Sequence, residues 1–354
     1  MPGLSIKLPV METMNSLWFI ADRTMELREV PKPEPESGEY LIKVVMTGIC
    51  GSDFEGYMGR TGRRTPPMIM GHEWSGVIES APEGGKYPPG TKVTAFPKEF
   101  CGSCEYCLEG RQNVCPNGIS MGAMTRNGSM CGYVTLEEKY LFPFSGLSFE
   151  TAAMTEPFAV AYRSVYKITD EELGKARNVL VIGAGTIGLL LVTILRYRKA
   201  KNIIVSDNSP FRLETALRCG ADHVINPSKT NLSEEISRLT GSRMIDISFE
   251  AVGVSATAND AVNNLRKGGT AVWVGLAQKV ISIDMQKVVN DEITIRGNYV
   301  YSYEEFGKAL SLLETGGIDL SPLQTHHYRL EDGVRAFKDL EANKDGKMIK
   351  VFLT

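Results

Sequence analysis

Hydrophobic and polar positions change rhythm along this chain. From about residue 177, short apolar runs alternate with polar amphipathic segments: Val179 to Ile182, then "IIVSD" ending at Asp207, "HVIN" (223–226), "IDISFEAVG" (245–253) and "TAVWVGL" (270–276). Short continuous apolar runs suit strands covered on both faces, and their alternation with helical segments predicts an α/β, doubly wound parallel sheet. The first third reads differently. Strand-like runs such as "YLIKVVMTG", broken by Gly and Pro, predict a compact β-rich domain, with "VPKPEPESGE" (30–39) as a surface connection. After "ITIRGNYV" the pattern turns helical in "YEEFGKALSLLETGG" and closes on the strand-like "KMIKVFLT". The expected division is a β-rich domain over 1–162, a parallel-sheet domain over 163–298, and a return of 299–354 to the first domain. The first fourteen residues are expected to be a surface extension or an arm reaching a neighbouring subunit.

The first apolar run leads into "GAGTIG", where Gly183, Gly185 and Gly188 form G-x-G-x-x-G, and Thr186 and Ile187 carry the turn into a helix. The first two glycines permit the turn and the approach of a pyrophosphate to the helix N-terminus, and the third permits tight helix–strand packing. Asp207 closes the next strand, where a carboxylate binds both ribose hydroxyls of an adenosine. Its charge would repel a 2′-phosphate, so NAD is favoured over NADP. Arg212 is near enough to cover the adenine edge, or is a solvated first-turn residue of the following helix.

Composition removes several classes of function. Of 354 residues, 39 are basic and 42 acidic, a net charge of −3 that is too balanced for a nucleic-acid binder. No signal-peptide pattern or apolar run of membrane-spanning length is present, so no membrane partner is expected and the chain reads as cytoplasmic. Seven cysteines, an odd number, argue against a secreted disulfide framework. Four of them, Cys101, Cys104, Cys107 and Cys115, crowd into "CGSCEYCLEGRQNVC" (101–115). Buried free thiols and an iron–sulfur cluster are alternatives, but the spacing favours a four-thiolate zinc lobe. With four protein ligands no coordination position stays open, so this zinc would be structural.

A second constellation lies in "GICGSD" (48–53) and "MGHEWSG" (70–76). Cys50, His72 and Glu73 have the composition of an open, catalytic zinc site, against the alternative that His72 is a satisfied side chain without a metal.

Taken together, "GICGSD", "GHEWSGVI", the cysteine lobe, "TEPFAV" (155–160) and "GAGTIG" with Asp207 resemble the zinc-dependent medium-chain dehydrogenase/reductase family over almost the whole chain. The likeness is greatest to the polyol dehydrogenase branch, with "NGSMCGY" (127–133) similar to the sorbitol enzyme. The resemblance implies a GroES-like catalytic domain interrupted by a Rossmann cofactor domain, with the active site in the cleft. It implies two zincs per chain and NAD. Cys50, His72, Glu73 and Glu156 would form the catalytic shell, either carboxylate binding directly or through water. Zinc can lower the pKa of a bound water from ~9 to ~7, and an alcohol in its place should be acidified similarly. Ser52 would relay the proton toward cofactor ribose and solvent, and Asp53 would orient His72. Family habit suggests a homodimer or homotetramer.

Two departures stand out. Many relatives have histidine five residues after the first ligand cysteine, where this chain has Glu55; the polyol branch commonly has histidine where this chain has Arg163, which either faces the cleft or, as expected here, solvates a helix face. The substrate is expected to be a small polyol, sugar alcohol or cyclitol. The loop "GRTGRRTPP" (59–67) holds Arg60, Arg63 and Arg64, expected to be solvated; if they instead read an anion, a phosphorylated polyol or sugar acid is the runner-up. A threonine-type amino-alcohol dehydrogenase and a non-catalytic dinucleotide binder are the remaining alternatives.

Overall fold

The computed structural model describes residues 12–354. Most of the expected N-terminal extension, residues 1–11, lies outside the described residues, whereas Thr13 and Met14 already belong to the first strand, Thr13–Ala21. That strand lies between Thr24–Pro31 and Met68–Ile69 in a three-stranded antiparallel sheet.

A larger sheet runs in the order Leu141–Pro143, Lys92–Ala95, Glu73–Ser80, Glu39–Ile49, Lys350–Leu353 and Gln324–Tyr328, with Tyr133–Glu137 also paired to Glu39–Ile49. Glu39–Ile49 is where distant parts of the chain meet. Its end pairs antiparallel with both neighbours, Gly48 opposite Glu73 on one side and Ile49 opposite Val351 on the other. The last strand thus lies within this larger sheet, next to the start of the helix that carries Ser52 and Asp53.

The middle of the chain forms a six-stranded, all-parallel sheet in the order His223–Ile225, Ile203–Ser206, Val179–Ile182, Ile245–Glu250, Leu265–Trp273, Thr294–Gly297. Val179–Ile182, Ile203–Ser206 and Ile245–Glu250 are buried at every position, as strands covered on both faces must be. Strand order reverses between Val179–Ile182 and Ile245–Glu250, which opens a crevice at their carboxyl ends. The run expected at 270–276 is a strand from Leu265 to Trp273; beyond it Val274 and Gly275 both donate backbone hydrogen bonds to the Glu250 carbonyl and turn the chain.

The helix Thr155–Tyr166 packs on Thr186–Tyr197 and on Tyr303–Thr315. It passes unbroken through residues 162 and 163, so the boundary expected there falls inside a helix. One hydrophobic cluster continues from Leu17, Tyr40 and Trp74 through Phe158 to Val181, Leu190 and Phe306, joining the antiparallel and parallel parts. Arg163 corrects the solvent expectation. Its side chain is only 16% exposed and pairs with Glu305, a first-turn residue of Tyr303–Thr315.

Candidate active site

The helix Gly51–Tyr57 begins on a capping box. Cys50 is its N-cap: the Cys50 sulfur accepts from the Ser52 backbone N–H at 3.4 Å, and the Cys50 N–H donates to Asp53 Oδ2 at 3.2 Å. The same three residues that start the helix therefore set the thiol, the Ser52 hydroxyl and the Asp53 carboxyl in fixed relation. The Ser52 hydroxyl donates to Cys50 Sγ at 3.3 Å. Asp53 is fully buried.

His72 and Glu73 arrive at the start of the adjacent strand, and Cys50, His72 and Glu73 each offer a ligand atom within 4.8 Å of the others. His72 Nδ1 is buried without a hydrogen-bond partner, 3.5 Å from Asp53 Oδ1. A carboxylate facing Nδ1 leaves Nε2 as the nitrogen free for a metal. Glu73 is ion-paired with Lys350, both side chains 1% exposed. Glu156, in the first turn of its helix, stands outside that close group but faces it; its carboxylate accepts a 2.7 Å hydrogen bond from the Tyr301 hydroxyl. Burial pushes the Glu156 carboxyl up, while His72 and the Tyr301 hydrogen bond pull the other way. Burial and the Asp53 charge likewise push the Cys50 thiol up, opposed by Lys350.

Charge decides what these groups can hold. Four acidic groups, Cys50, Asp53, Glu73 and Glu156, meet two cations, Arg64 and Lys350, and all but Cys50 among them are buried. With every acid ionised, a divalent cation makes up the difference, and the unpartnered imidazole adds a donor. Cys50 and His72 are half-buried, so the group opens to solvent on the ligand side. The residues fit an open zinc site.

The four-cysteine lobe also fits its metal. Cys101 Sγ lies 3.9 Å from Cys107 and 3.6 Å from Cys115, and Cys104 lies 3.9 Å from Cys115. These gaps are too long for disulfides, and tetrahedral Zn–S bonds of ~2.3 Å place sulfurs about 3.8 Å apart. Backbone N–H groups of Ser103 and Cys104 hold the Cys101 thiol well below its ordinary range. The lobe touches the site indirectly: Asn113 Nδ2 donates to the Tyr299 carbonyl at 2.9 Å, and Gln112 Oε1 accepts from the Tyr303 N–H at 3.4 Å. Tyr301 lies between those two anchors.

In the parallel-sheet crevice, a Cβ on Gly188 would lie 1.7 Å from the Gly183 carbonyl oxygen, whereas one on Gly185 would meet nothing within 4 Å. Gly188 lets helix and turn touch, and open space remains at Gly185 for a phosphate. Asp207 accepts hydrogen bonds from the Ala184 N–H at 2.7 Å and the Ser209 N–H at 2.8 Å, which orient its carboxylate beside the turn. Ile187 is half-buried against the core. The Thr186 hydroxyl donates to the Ile349 carbonyl and Arg212 Nε to the Gly346 carbonyl, so these two side chains tie the turn and the following helix to the C-terminal segment.

The loop arginines part company. Arg60 pairs with Glu55 at 3.1 Å and is 57% exposed, and Arg63 is exposed. Arg64 overturns the solvated expectation: its side chain is 5% exposed and bonded to Asp53. Sequence reasoning missed Tyr301 and Lys350 as parts of the site and weighed Arg64 only as an anion reader or a solvated charge. Of the two missed, Lys350 left a sign, a lysine at the head of an otherwise apolar strand.

Two family descriptions match, Alcohol dehydrogenase GroES-like domain over residues 36–146 and Zinc-binding dehydrogenase over 186–315. The chain is 33% identical over 315 residues to a sorbitol dehydrogenase of Bacillus subtilis, covering 87% of this chain and 88% of that one. It is 30% identical over 329 residues to an L-threonine 3-dehydrogenase of Aeromonas salmonicida, covering 91% and 94%. Among solved structures, galactitol-1-phosphate dehydrogenase of Escherichia coli superposes with a TM-score of 0.87 at 27% identity, covering 96% of this chain and 99% of the other. An alcohol dehydrogenase from Escherichia coli CFT073, solved with NADH, gives 0.88 at 28% identity, covering 97% and 99%. With both family descriptions matched and a sorbitol dehydrogenase 33% identical over 87% of the chain, the chain belongs to the zinc-dependent medium-chain dehydrogenases, on their polyol dehydrogenase branch.

Proposed function

We propose that this dehydrogenase oxidises a secondary alcohol of a neutral polyol, sugar alcohol or cyclitol to the ketone, with NAD as acceptor. The observation that carries the reading is the cluster of Cys50, His72 and Glu73, open on the side of Cys50 and His72 and faced by Glu156. Zinc held by Cys50, His72 and Glu73, with Glu156 within reach, would supply Lewis acidity to the substrate hydroxyl, and NAD would accept the hydride from the carbinol carbon. The Ser52 hydroxyl takes the substrate's hydroxyl proton as it passes its own toward solvent. Asp53 faces His72 Nδ1 and keeps that imidazole in one orientation. The Asp207 carboxylate, oriented by two backbone N–H groups, supports NAD over NADP because a 2′-phosphate there would meet like charge.

The arginine loop favours a neutral substrate. Arg64 is bonded within the protein and Arg60 pairs with Glu55, which leaves Arg63 as the loop arginine without an ion pair among the described residues. Arg63 supports the second reading, a phosphorylated substrate. We further propose a homo-oligomer joined at the edge strand Thr294–Gly297, which follows in the chain a segment where Val280, Met285 and Val289 are 79%, 67% and 62% exposed. Light scattering of the purified protein tests this; a monomer would overturn it. Among the described residues no helix is long and apolar enough to cross a membrane.

The function is tested by initial rates of NAD and NADP reduction across sorbitol and other linear polyols, polyol phosphates, sugar acids, cyclitols and threonine. Fastest turnover of a neutral polyol or cyclitol with NAD is expected. Preference for a phosphate would move Arg63 into the substrate site, and preference for threonine would overturn the polyol reading.

A further inference from the structure

We infer that Arg64 is a positioning residue for the proton path: its guanidinium fork fixes which way the Ser52 hydroxyl points. The inference rests on the reading of Ser52 as the proton relay. Arg64 Nη2 donates to Ser52 Oγ at 3.0 Å and to Asp53 Oδ1 at 2.8 Å, and Nε donates to the same carboxylate oxygen at 3.2 Å. A guanidinium only donates, so Ser52 Oγ must accept from it. One lone pair of the hydroxyl is thereby occupied. Its single proton is turned away from Arg64 and toward Cys50 Sγ at 3.3 Å, and one lone pair stays free to receive the substrate's proton. Without the fork, the occupied lone pair loses its fixed donor and the hydroxyl is free to rotate about its own C–O bond, so the relay geometry is no longer held.

The placement is built from the sequence outward. The loop at 59–67 folds back on the helix Gly51–Tyr57, held in part by the Met124 N–H on the Arg63 carbonyl at 3.1 Å. The Arg64 stem crosses that helix at Gly56, where a Cβ would lie 2.3 Å from Arg64 Cγ. Glycine at this position, four residues after Ser52, is what admits the arginine. Asp53 Oδ1 is shared between Arg64 and the His72 side, so one carboxylate ties the hydroxyl's orientation to the imidazole's. Arginine suits the task because its planar fork reaches serine and aspartate together, whereas a lysine ammonium is a point charge on a flexible stem.

The test is a double-mutant cycle of Arg64→Lys and Ser52→Ala, read as kcat and KM on sorbitol or the alcohol of the panel that is oxidised faster. It is accompanied by zinc content and by the visible spectrum of the cobalt-substituted enzyme. Ser52→Ala is expected to lower kcat by about 100-fold, in the range of a lost acid–base group. Arg64→Lys, which keeps the charge and loses the fork, is expected to lower kcat by about 10-fold or more with KM little changed. Zinc content and the cobalt spectrum should stay at wild-type values, and in the Ser52→Ala background the same replacement should change kcat less than about threefold. Gly56→Ala, which displaces the arginine stem and leaves every polar partner in place, should act like Arg64→Lys. Full activity of Arg64→Lys, additive effects in the cycle, or zinc loss in parallel with activity would overturn the inference while leaving the relay standing. An unimpaired Ser52→Ala would remove the relay, and the inference with it.

Discussion

Lys350 and Glu73 form a pair whose value depends on both members being present. Each is 1% exposed, so in the protein stripped of zinc by a chelator, where the urea unfolding is read, removing the lysine strands a carboxylate in the interior. Lys350→Met is expected to cost about 3–5 kcal/mol in urea unfolding, and the double variant Glu73→Gln/Lys350→Met to recover more than half of that because no lone charge remains. Lys350 itself has its amino group pulled down to about 8 by burial, opposed by Cys50 and Asp53. Tyr301 poses a different question. Its hydroxyl is the one side-chain donor to Glu156 among the described residues, and it does not belong to any ligand motif. Tyr301→Phe should leave zinc content unchanged and lower kcat roughly tenfold, the fold packing being retained because only one oxygen is lost; unchanged kinetics would show that the Glu156 carboxylate needs no fixed orientation.

At the level of elements, the cysteine lobe does more than hold its own loop. Through Asn113 and Gln112 it grips the segment Tyr299–Tyr303, in which Val300 adopts φ 53°, a left-handed conformation that is costly for a β-branched residue. Removing the grip should let Val300 relax and carry Tyr301 away from Glu156. Asn113→Ala, with all four cysteines intact, is therefore expected to lower kcat severalfold at unchanged zinc content, and Val300→Gly to restore part of it because glycine has no strain to release. Failure of that rescue would show the segment to be held by other contacts. A second tie is electrostatic. Arg296 on the edge strand donates two hydrogen bonds to Glu172 in the helix Asp170–Lys175, holding the Glu172 carboxyl down to about 2 against its partial burial. A depressed carboxyl stabilises the fold above its unfolded pKa of ~4.3, and that stability is lost as pH falls toward 2. With the two side chains 31% and 34% exposed, screening reduces the contribution to about 1 kcal/mol. The difference in unfolding free energy between the wild type and Glu172→Gln should shrink to nothing across that window; a constant difference would mean that the pair acts through packing.

For the whole molecule, two metal clusters on one chain predict two separable behaviours. Metal analysis should return about two zincs per chain. Cys107→Ser should bring the content to about one and lower the unfolding midpoint, whereas Cys50→Ser should also bring it to about one but abolish turnover with a smaller change in midpoint; a common loss of both metals in either variant would show that the clusters are coupled. Much of this organisation was legible in the sequence. The cysteine lobe, "GAGTIG" with Asp207, "CGSD" and "GHE" are each complete within a short stretch, and the geometry they need is local: a turn, a helix start or a strand end. The apolar runs likewise declared the parallel strands, because burial on both faces leaves a continuous signature. Partners brought together by folding were not legible. Glu73 and Lys350 lie 277 residues apart and meet through the pairing of Lys350–Leu353 with Glu39–Ile49; Glu156 and Tyr301 lie 145 apart and meet by helix packing. Arg64 shows the limit most clearly, since three arginines in one loop look alike until the empty space at Gly56 selects one of them. The sequence by itself determined which chemistry the chain carries, because ligand spacing is a property of the local backbone; only the tertiary structure decided which side chains neutralise, orient and enclose that chemistry, because charge compensation and burial depend on the register of strands far apart in the chain.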